Sequence, residues 1–369
     1  MTVVSLCAWL WLLSRSIHAL SSSTHTTRSA LSQSLEELSA SLGGRGRALQ
    51  VWEAYRKGLE PELGQQASAL YHVLPPTTVS LLQSTTANDG TTKLLLELKD
   101  QLQVETVLIP WHDRQATTLC VSSQVGCAQA CTFCQTGRMG KLRSLSVDEI
   151  LVQVWFAQQE TLYPIDNVVF MGMGEPADNA DAVVEATRIL THPQQFQLAP
   201  RKVTISTVAP TPEAFLHLGK APAVLAWSVH ASRDELRRAL VPTTKYTMEE
   251  LRDGLVQALL ERSRKMRATL LEVTLLDDLN DGPDDAAHLA DFCHEFIALV
   301  PGMKLVVNLI PWNDIGAAKG PARLYRPPTQ ASVLAFQKVL VKAGLLCYIR
   351  TTRGDDQSAA CGQLATQRP

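Results

Sequence analysis

Short apolar, β-branched runs recur through the latter two-thirds of this chain with helical patterns between them, and that alternation restricts the fold more than any other feature. The runs are Thr118 to Ser122, Asn167 to Met171, Lys202 to Ser206, Val224 to Val229, Leu270 to Leu276 and Lys304 to Ile310. Ser146-Val147-Asp148-Glu149 has the spacing of a capping box and opens a helix with Ile150, Leu151 and Val154 on one face. Ser232 to Glu235 repeats the device after the fourth run, and Thr329 to Ala343 reads as a further helix stopped by Gly344. Strand–helix alternation sustained over roughly 200 residues predicts parallel βα units of the α/β class, and six such units make a partial barrel.

The rest of the chain divides around that body. Val3 to Leu13 is almost wholly apolar, Ser14 and Arg15 follow, and the first acidic residue is Glu36. An apolar stretch of about 11 residues, a small residue at Ala19 and then a hydroxylated, acid-free run read as a targeting leader over residues 1–30. Its two-part form suits an organelle, a plastid ahead of a mitochondrion. Residues 34–87 read as a short helical accessory module carrying Leu38, Leu42, Leu49, Trp52 and Tyr55. A β-hairpin over 88–117 follows, with a turn at Asn88-Asp89-Gly90 and strands at Thr92 to Leu98 and Val104 to Ile109. The barrel itself is expected over 118–364.

Composition excludes several classes. At 46% hydrophobic and 19% charged, 369 residues can bury a large core, so general disorder is ruled out. No apolar run reaches the roughly 18 residues that span a bilayer. A formal net charge of -2 leaves charge a poor guide to any nucleic-acid partner. Eight cysteines are present, and three of them lie within eight residues, which is too clustered for a secreted disulfide framework and points to metal or redox chemistry. Cys7, Cys293 and Cys347 read only as small buried hydrophobes.

In a βα barrel, chemistry sits where strands end at their carboxyl side. The unusual residues fall there: Cys127 to Cys134 after the first strand, Gly172-Met173-Gly174-Glu175-Pro176 after the second, Ser206 ending the third, Ser228 and His230 the fourth, and Asn313 after the sixth. Each has an ordinary alternative. The glycines permit a tight turn, Ser206 could cap a helix, and His230 could be a buried structural histidine. Cys127-Ala-Gln-Ala-Cys131-Thr-Phe-Cys134 is C-x3-C-x2-C. A four-iron cluster takes four thiolates, so three on one loop leave an iron open to a small ligand. No fourth ligand follows at structural-zinc spacing, and a catalytic zinc with three thiolates stays open.

C-x3-C-x2-C with Phe133 before the last cysteine resembles the radical S-adenosylmethionine (SAM) superfamily. Narrower stretches, Ala116 to Cys127, Phe170 to Pro176, Asn308 to Asn313 and Thr352 to Gln363, resemble the RlmN–Cfr family of adenine methyltransferases of ribosomal RNA, over about Gln103 to Leu364. The resemblance implies a radical SAM barrel and a [4Fe-4S] cluster on Cys127, Cys131 and Cys134. Gly174, Glu175, Ser206, Ser228, His230 and Asn313 would bind SAM, used twice per turnover. Cys361 would carry the methyl group as S-methylcysteine, Cys120 would be the resolving thiol, and Glu105 the proton acceptor. The expected product is adenosine methylated at C2 in large-subunit ribosomal RNA, with transfer RNA as a second candidate substrate. A reductant such as flavodoxin or ferredoxin and a monomeric protein without membrane contact are also expected.

Strand alternation places Glu105, Val107 and Ile109 on one face, where a carboxylate would be desolvated into a better base near neutrality. The alternative is a sheet-edge glutamate reaching water. Basic clusters are modest, and Arg233, Arg237 and Arg238 read as a solvated helix face, as do Arg262, Arg264, Lys265 and Arg267. Arg353, on the Cys361 loop, is the expected phosphate contact. Ser206-Thr-Val-Ala-Pro210 and Asp314-Ile315-Gly316 depart from the family pattern in ways that bear on RNA selection. The rival functions are methylation at adenine C8, a radical SAM enzyme with a non-RNA substrate, and a non-catalytic iron–sulfur protein that binds RNA or carries electrons.

Overall fold

The computed structural model describes residues 28–72, 79–317 and 319–366. The expected leader therefore lies outside the described residues up to position 27. Of its last three residues, Ala30 is fully buried.

Three short helices come first: α1 (Leu35–Ser41), α2 (Arg45–Tyr55) and α3 (Gln65–His72). A capping box, Ser34 with Glu37, starts α1. Their buried face, with Leu35, Leu38, Trp52 and Tyr55, belongs to the same hydrophobic core as the barrel. Trp52 meets Phe196 edge-on at 5.2 Å, so the helices dock on the sheet's helical layer.

One open ten-stranded sheet organises everything else. Strands β1 (Ser80–Thr86), β2 (Thr92–Glu97), β3 (Gln103–Trp111) and β4 (Ala116–Cys120) run antiparallel to one another. Residues 80–86, expected within the helical module over 34–87, are therefore strand: Ser80 pairs with Glu97 and Thr86 with Thr92, with a bulge between Leu81 and Gln83. From β4 the sheet turns parallel. It continues through β7 (Ile165–Phe170), β8 (Val203–Thr207), β9 (Val224–Ser228), β10 (Ala268–Leu275), β11 (Lys304–Pro311) and β12 (Leu346–Ile349). A two-residue ribbon, β5 (Gln124–Val125) with β6 (Arg143–Ser144), sits beside the first barrel loop.

Six expected strands correspond to β4 and β7 through β11, giving the partial barrel, and β12 adds a seventh parallel strand. Central strands buried on both faces carry the apolar, β-branched composition that such burial demands: all five residues of β8 are buried. The crossovers are helices α5 (Val147–Glu160), α6 (Ala180–Thr191), α7 (Glu213–Gly219), α8 (Asp234–Leu240) with α9 (Met248–Glu261), α10 (Pro283–Leu299) and α11 (Gln330–Lys342). The Ser146–Glu149 capping box forms as expected, and Ile150, Leu151 and Val154 are buried. The expected box at Ser232 does not form. Arg233 stands at the cap of α8 without a side-chain bond, and Ser232 Oγ instead lies 2.9 Å from His288 Nδ1.

Candidate active site

The loop after β4 is built to hold its three cysteines toward the barrel axis. Gln153, a polar residue on the apolar stripe of α5, clamps the strand end through both amide atoms: Ser122 N–H donates to Oε1 at 2.8 Å and Nε2 donates to Ser122 O at 2.9 Å. Asn179 Nδ2 donates to Ser123 O at 2.9 Å. Downstream, a short helix α4 (Gln135–Met139) packs so closely that a Cβ on Gly137 would lie 3.0 Å from Cys131 N. Trp312 Nε1 donates to Phe133 O at 2.8 Å, and the Phe133 and His230 rings meet at 4.5 Å.

All three cysteines and all six residues expected at SAM line one cavity of about 130 Å³, and Cys361 stands at its edge. Gly174 has φ +105, and a Cβ there would come within 2.7 Å of Gln124 N, so this turn admits glycine alone. Glu175 is buried, which pushes its carboxyl up to about 7 against the bonds it accepts from Thr207, Val208 N–H and Ala177 N–H. Ser206 Oγ lies 3.0 Å from Ser228 Oγ. His230 adopts a left-handed backbone at φ 58, and its Nδ1 accepts Thr274 N–H at 3.2 Å, which leaves Nε2 for the cavity. Burial holds its ring well below the ordinary histidine range, so it is neutral. Asn313 turns both amide atoms to the C-terminal loop: Nδ2 donates to Cys361 O at 3.0 Å and Oδ1 accepts Thr352 Oγ1 at 2.9 Å.

Burial pushes the Cys127 thiol up to about 12 and raises Cys131 further, with the neighbouring thiols adding to the effect. Three thiolates on such a wall need positive charge to neutralise them, which is what a bound iron cluster provides. A cube of irons offers each of the three thiolates its own vertex. The donor set therefore fits a cluster with one vertex left for SAM.

A second cavity, of about 310 Å³, adjoins the first, and Cys361 lines both. Cys120 lies on the wall of this second cavity. Burial, and then the proximity of Cys361, push the Cys120 thiol up to about 12. Cys361 is exposed to these cavities yet enclosed by protein, and that enclosure raises its thiol too. The Cys361 loop is docked on the cysteine loop, with Gln135 N–H donating to Gly362 O at 2.7 Å and Thr136 Oγ1 to Leu364 O at 2.6 Å.

Glu105 lies on the face of β3 that carries Val107 and Ile109, but deeper, and lines neither cavity. It is 5% exposed in an interior strand, not at a sheet edge. Burial raises its carboxyl, and a 2.9 Å ion pair with Lys93 opposes this. Ala365 N–H donates to it at 2.9 Å, so the C-terminal segment covers it.

Three site residues escaped the sequence reading. Arg237, read as part of a solvated helix face, is fully buried. Its guanidinium donates to Ser228 O at 2.6 Å, Val229 O at 2.7 Å and Val208 O at 2.5 Å, and burial lowers its pKa to about 10. Nothing in the charge pattern separates it from Arg233 and Arg238. Glu272, 2% exposed in the middle of β10, pairs at 3.7 Å with Arg350. Burial works against the charge of Arg350, yet Glu272, Cys361 and Cys120 together hold its guanidinium above the ordinary value. A charged residue inside an apolar run was the available sign for Glu272.

A parallel barrel with a C-x3-C-x2-C loop at its carboxyl end, facing a glycine turn and a buried glutamate, defines a radical SAM enzyme. The profile described as the Radical SAM superfamily matches residues 121–290. Dual-specificity RNA methyltransferase RlmN of Marinobacter nauticus is 42% identical over 76% of this chain and 73% of its own length. Its counterpart of the same name in Syntrophotalea carbinolica is 38% identical over 89% of this chain and 87% of its own. The crystal structure of a radical SAM methyltransferase from Sphaerobacter thermophilus superposes with a TM-score of 0.79 at 33% identity, covering 91% of this chain and 99% of that one. The chain belongs to the RlmN family of radical SAM methyltransferases.

Proposed function

We propose that the protein is a SAM-dependent radical RNA methyltransferase that methylates C2 of adenosine in large-subunit ribosomal RNA, and in transfer RNA as well. The observation that carries this reading is the position of Cys361, which borders both the cysteine-lined cavity and the Cys120 cavity. Adenine C2 has no lone pair with which to attack a methyl sulfonium, so a carrier must bring the carbon in another form.

When bound, the cluster and two SAM molecules per turnover supply a methyl group and a 5′-deoxyadenosyl radical. Glu175 and Gly174 hold the amino end of SAM, and Ser206, Ser228 and His230 line the remainder. Asn313 sets the Cys361 loop against that cavity. Cys361 sulfur receives the methyl, and its methyl carbon gives up one hydrogen atom and then bonds C2 in the larger cavity. Glu105 accepts the C2 proton once the C-terminal segment lifts from it, and the one electron the adduct loses would return to the oxidised cluster held by Cys127, Cys131 and Cys134. The Cys120 thiolate attacks Cys361 sulfur. The carbon–sulfur bond breaks, the electron pair stays on the carbon, which takes a solvent proton, and a disulfide remains. An external one-electron donor such as flavodoxin or ferredoxin and a dithiol-regenerating reductant complete the cycle. The protein acts as a monomer. The apolar, then acid-free start of the chain supports delivery to an organelle, a plastid ahead of a mitochondrion.

The test is anaerobic reconstitution with iron, sulfide, dithionite, SAM and ribosomal RNA. The wild-type protein forms 2-methyladenosine and Cys361→Ala forms none. Continued methylation by Cys361→Ala would overturn the reading. 8-Methyladenosine would assign the C8 alternative, and an absence of 5′-deoxyadenosine would assign the non-catalytic one.

A further inference from the structure

The larger cavity is lined by β3, β4 and the Cys361 loop, and Trp111 on its wall belongs to an arrangement that the reaction steps above leave unused. Residues at alternate positions of β3, Val107, Ile109 and Trp111, all line this cavity. Val107 lies opposite Cys120 in the antiparallel register, and Trp111 is the last residue of the strand. Four residue steps along the strand separate them, about 13 Å. That is more than a purine spans, so an adenine held at Cys120 and Cys361 leaves the Trp111 indole for whatever adjoins it.

The hairpin turn then folds back on itself. Arg114 N–H donates to Trp111 O at 3.3 Å, and Gln115 takes a left-handed φ of 48. This brings the Arg114 guanidinium over the Trp111 ring, 4.4 Å from its centre. Arg353 of the Cys361 loop stands 5.3 Å from the same ring. The indole is fixed from its edge, since Nε1 donates to Thr118 Oγ1 at 3.0 Å. Arg353 is steadied by Asp89 at 3.7 Å, whereas Arg114 makes no ion pair among the described residues. One immobilised aromatic ring with two guanidiniums held over it, on a cavity that also carries two thiols, matches a phosphate grip for single-stranded RNA. Guanidiniums take the phosphates of such strands, and an aromatic ring beneath them holds them in place by cation–π attraction.

The geometry points to Trp111 as the positioning residue that holds the Arg114 and Arg353 guanidiniums in place to grip the backbone phosphates beside the target adenine. This rests on the RNA methyltransferase reading and supplies the grip that a chain with net charge -2 does not provide in bulk.

The test uses the reconstituted full chain and protein-free large-subunit ribosomal RNA. Filter retention gives equilibrium binding, and methylation gives KM and kcat separately. The fraction of Cys361 methylated without RNA normalises each preparation for folded, SAM-competent protein. Trp111→Ala, which releases both guanidiniums, is expected to weaken RNA binding about 2- to 30-fold, the worth of a lost cation–π hold, with Trp111→Phe restoring most of it. Arg114→Ala is expected to flatten the salt dependence of binding by about 0.7 in log–log slope, one single-strand phosphate contact. Arg264→Ala, at the opposite end of the barrel before β10, is the control and keeps the wild-type KM. Wild-type affinity in Trp111→Ala together with an unchanged slope in Arg114→Ala would overturn the inference and leave the methyltransferase reading standing. Failure of the wild-type protein to methylate any RNA would instead remove the reading on which it rests.

Discussion

A methyl sulfide carbon gives up hydrogen only to a radical in contact with it, and a thioether is released only by a thiol that can reach its sulfur. In the proposed reaction both demands fall on the Cys361 side chain, which borders both cavities while Cys120 borders one. The roles of the two cysteines therefore separate by mutation. In Cys120→Ala the carbon still bonds to C2 but cannot be released, so RNA accumulates covalently joined to Cys361. Denaturing gel electrophoresis should show a retarded, nuclease-sensitive band whose RNA-derived mass sits on the Cys361 peptide. Loss of that band in the double variant Cys120→Ala/Cys361→Ala is expected. A clean turnover by Cys120→Ala would remove it as the resolving thiol.

At the scale of elements, pairing register does the positioning. Lys93 on β2 reaches Glu105 on β3 diagonally, since Leu95 is the residue opposite Glu105. A base must be ionised to accept a proton, burial raises the Glu105 pKa, and Lys93 lowers it. Lys93→Met removes the lowering partner, so the acidic limb of the pH–rate profile for RNA methylation should move to higher pH. An unmoved limb would mean that Glu105 is not the group being titrated. Helix α8 makes a second case. Arg237 satisfies three carbonyls at the ends of β8 and β9, and the last residue of its helix, Leu240, accepts Thr132 N–H of the cysteine loop at 2.9 Å. Arg237→Met keeps much of the volume but strands those acceptors, and should cost about 3 kcal/mol in denaturant unfolding.

At the scale of the whole molecule, the parallel body was legible because buried parallel strands must be continuously apolar and helices must show a 3.6-residue stripe, and both patterns survive in a single sequence. Edges were less so. Strand β1 presents Ser, Gln and Thr and is largely exposed, so it lacks the burial that writes a pattern into sequence, and it read as the tail of a helical module. The hairpin expected as an appendage is continuous with the barrel sheet through the β3–β4 register, a long-range pairing that no local stretch encodes. The same limit hid the site's ionic supports. Arg237 is a buried ligand of carbonyls because of where α8 lands, while Arg233 and Arg238 beside it are partly exposed ion-pair partners. The cysteines, the glycine turn and the strand-end serines were legible because their chemistry requires those residue types at those strand ends.

The central claim is that the carbon added to RNA passes through Cys361 and loses a hydrogen there. SAM carrying a trideuterated methyl group tests this directly, with the product read by mass spectrometry of RNA digested to nucleosides. Routing through Cys361 removes one deuterium and adds one solvent proton, so the account predicts 2-methyladenosine with two deuterium atoms in its methyl group. A methyl group retaining all three would mean direct transfer from SAM to adenine and would contradict it.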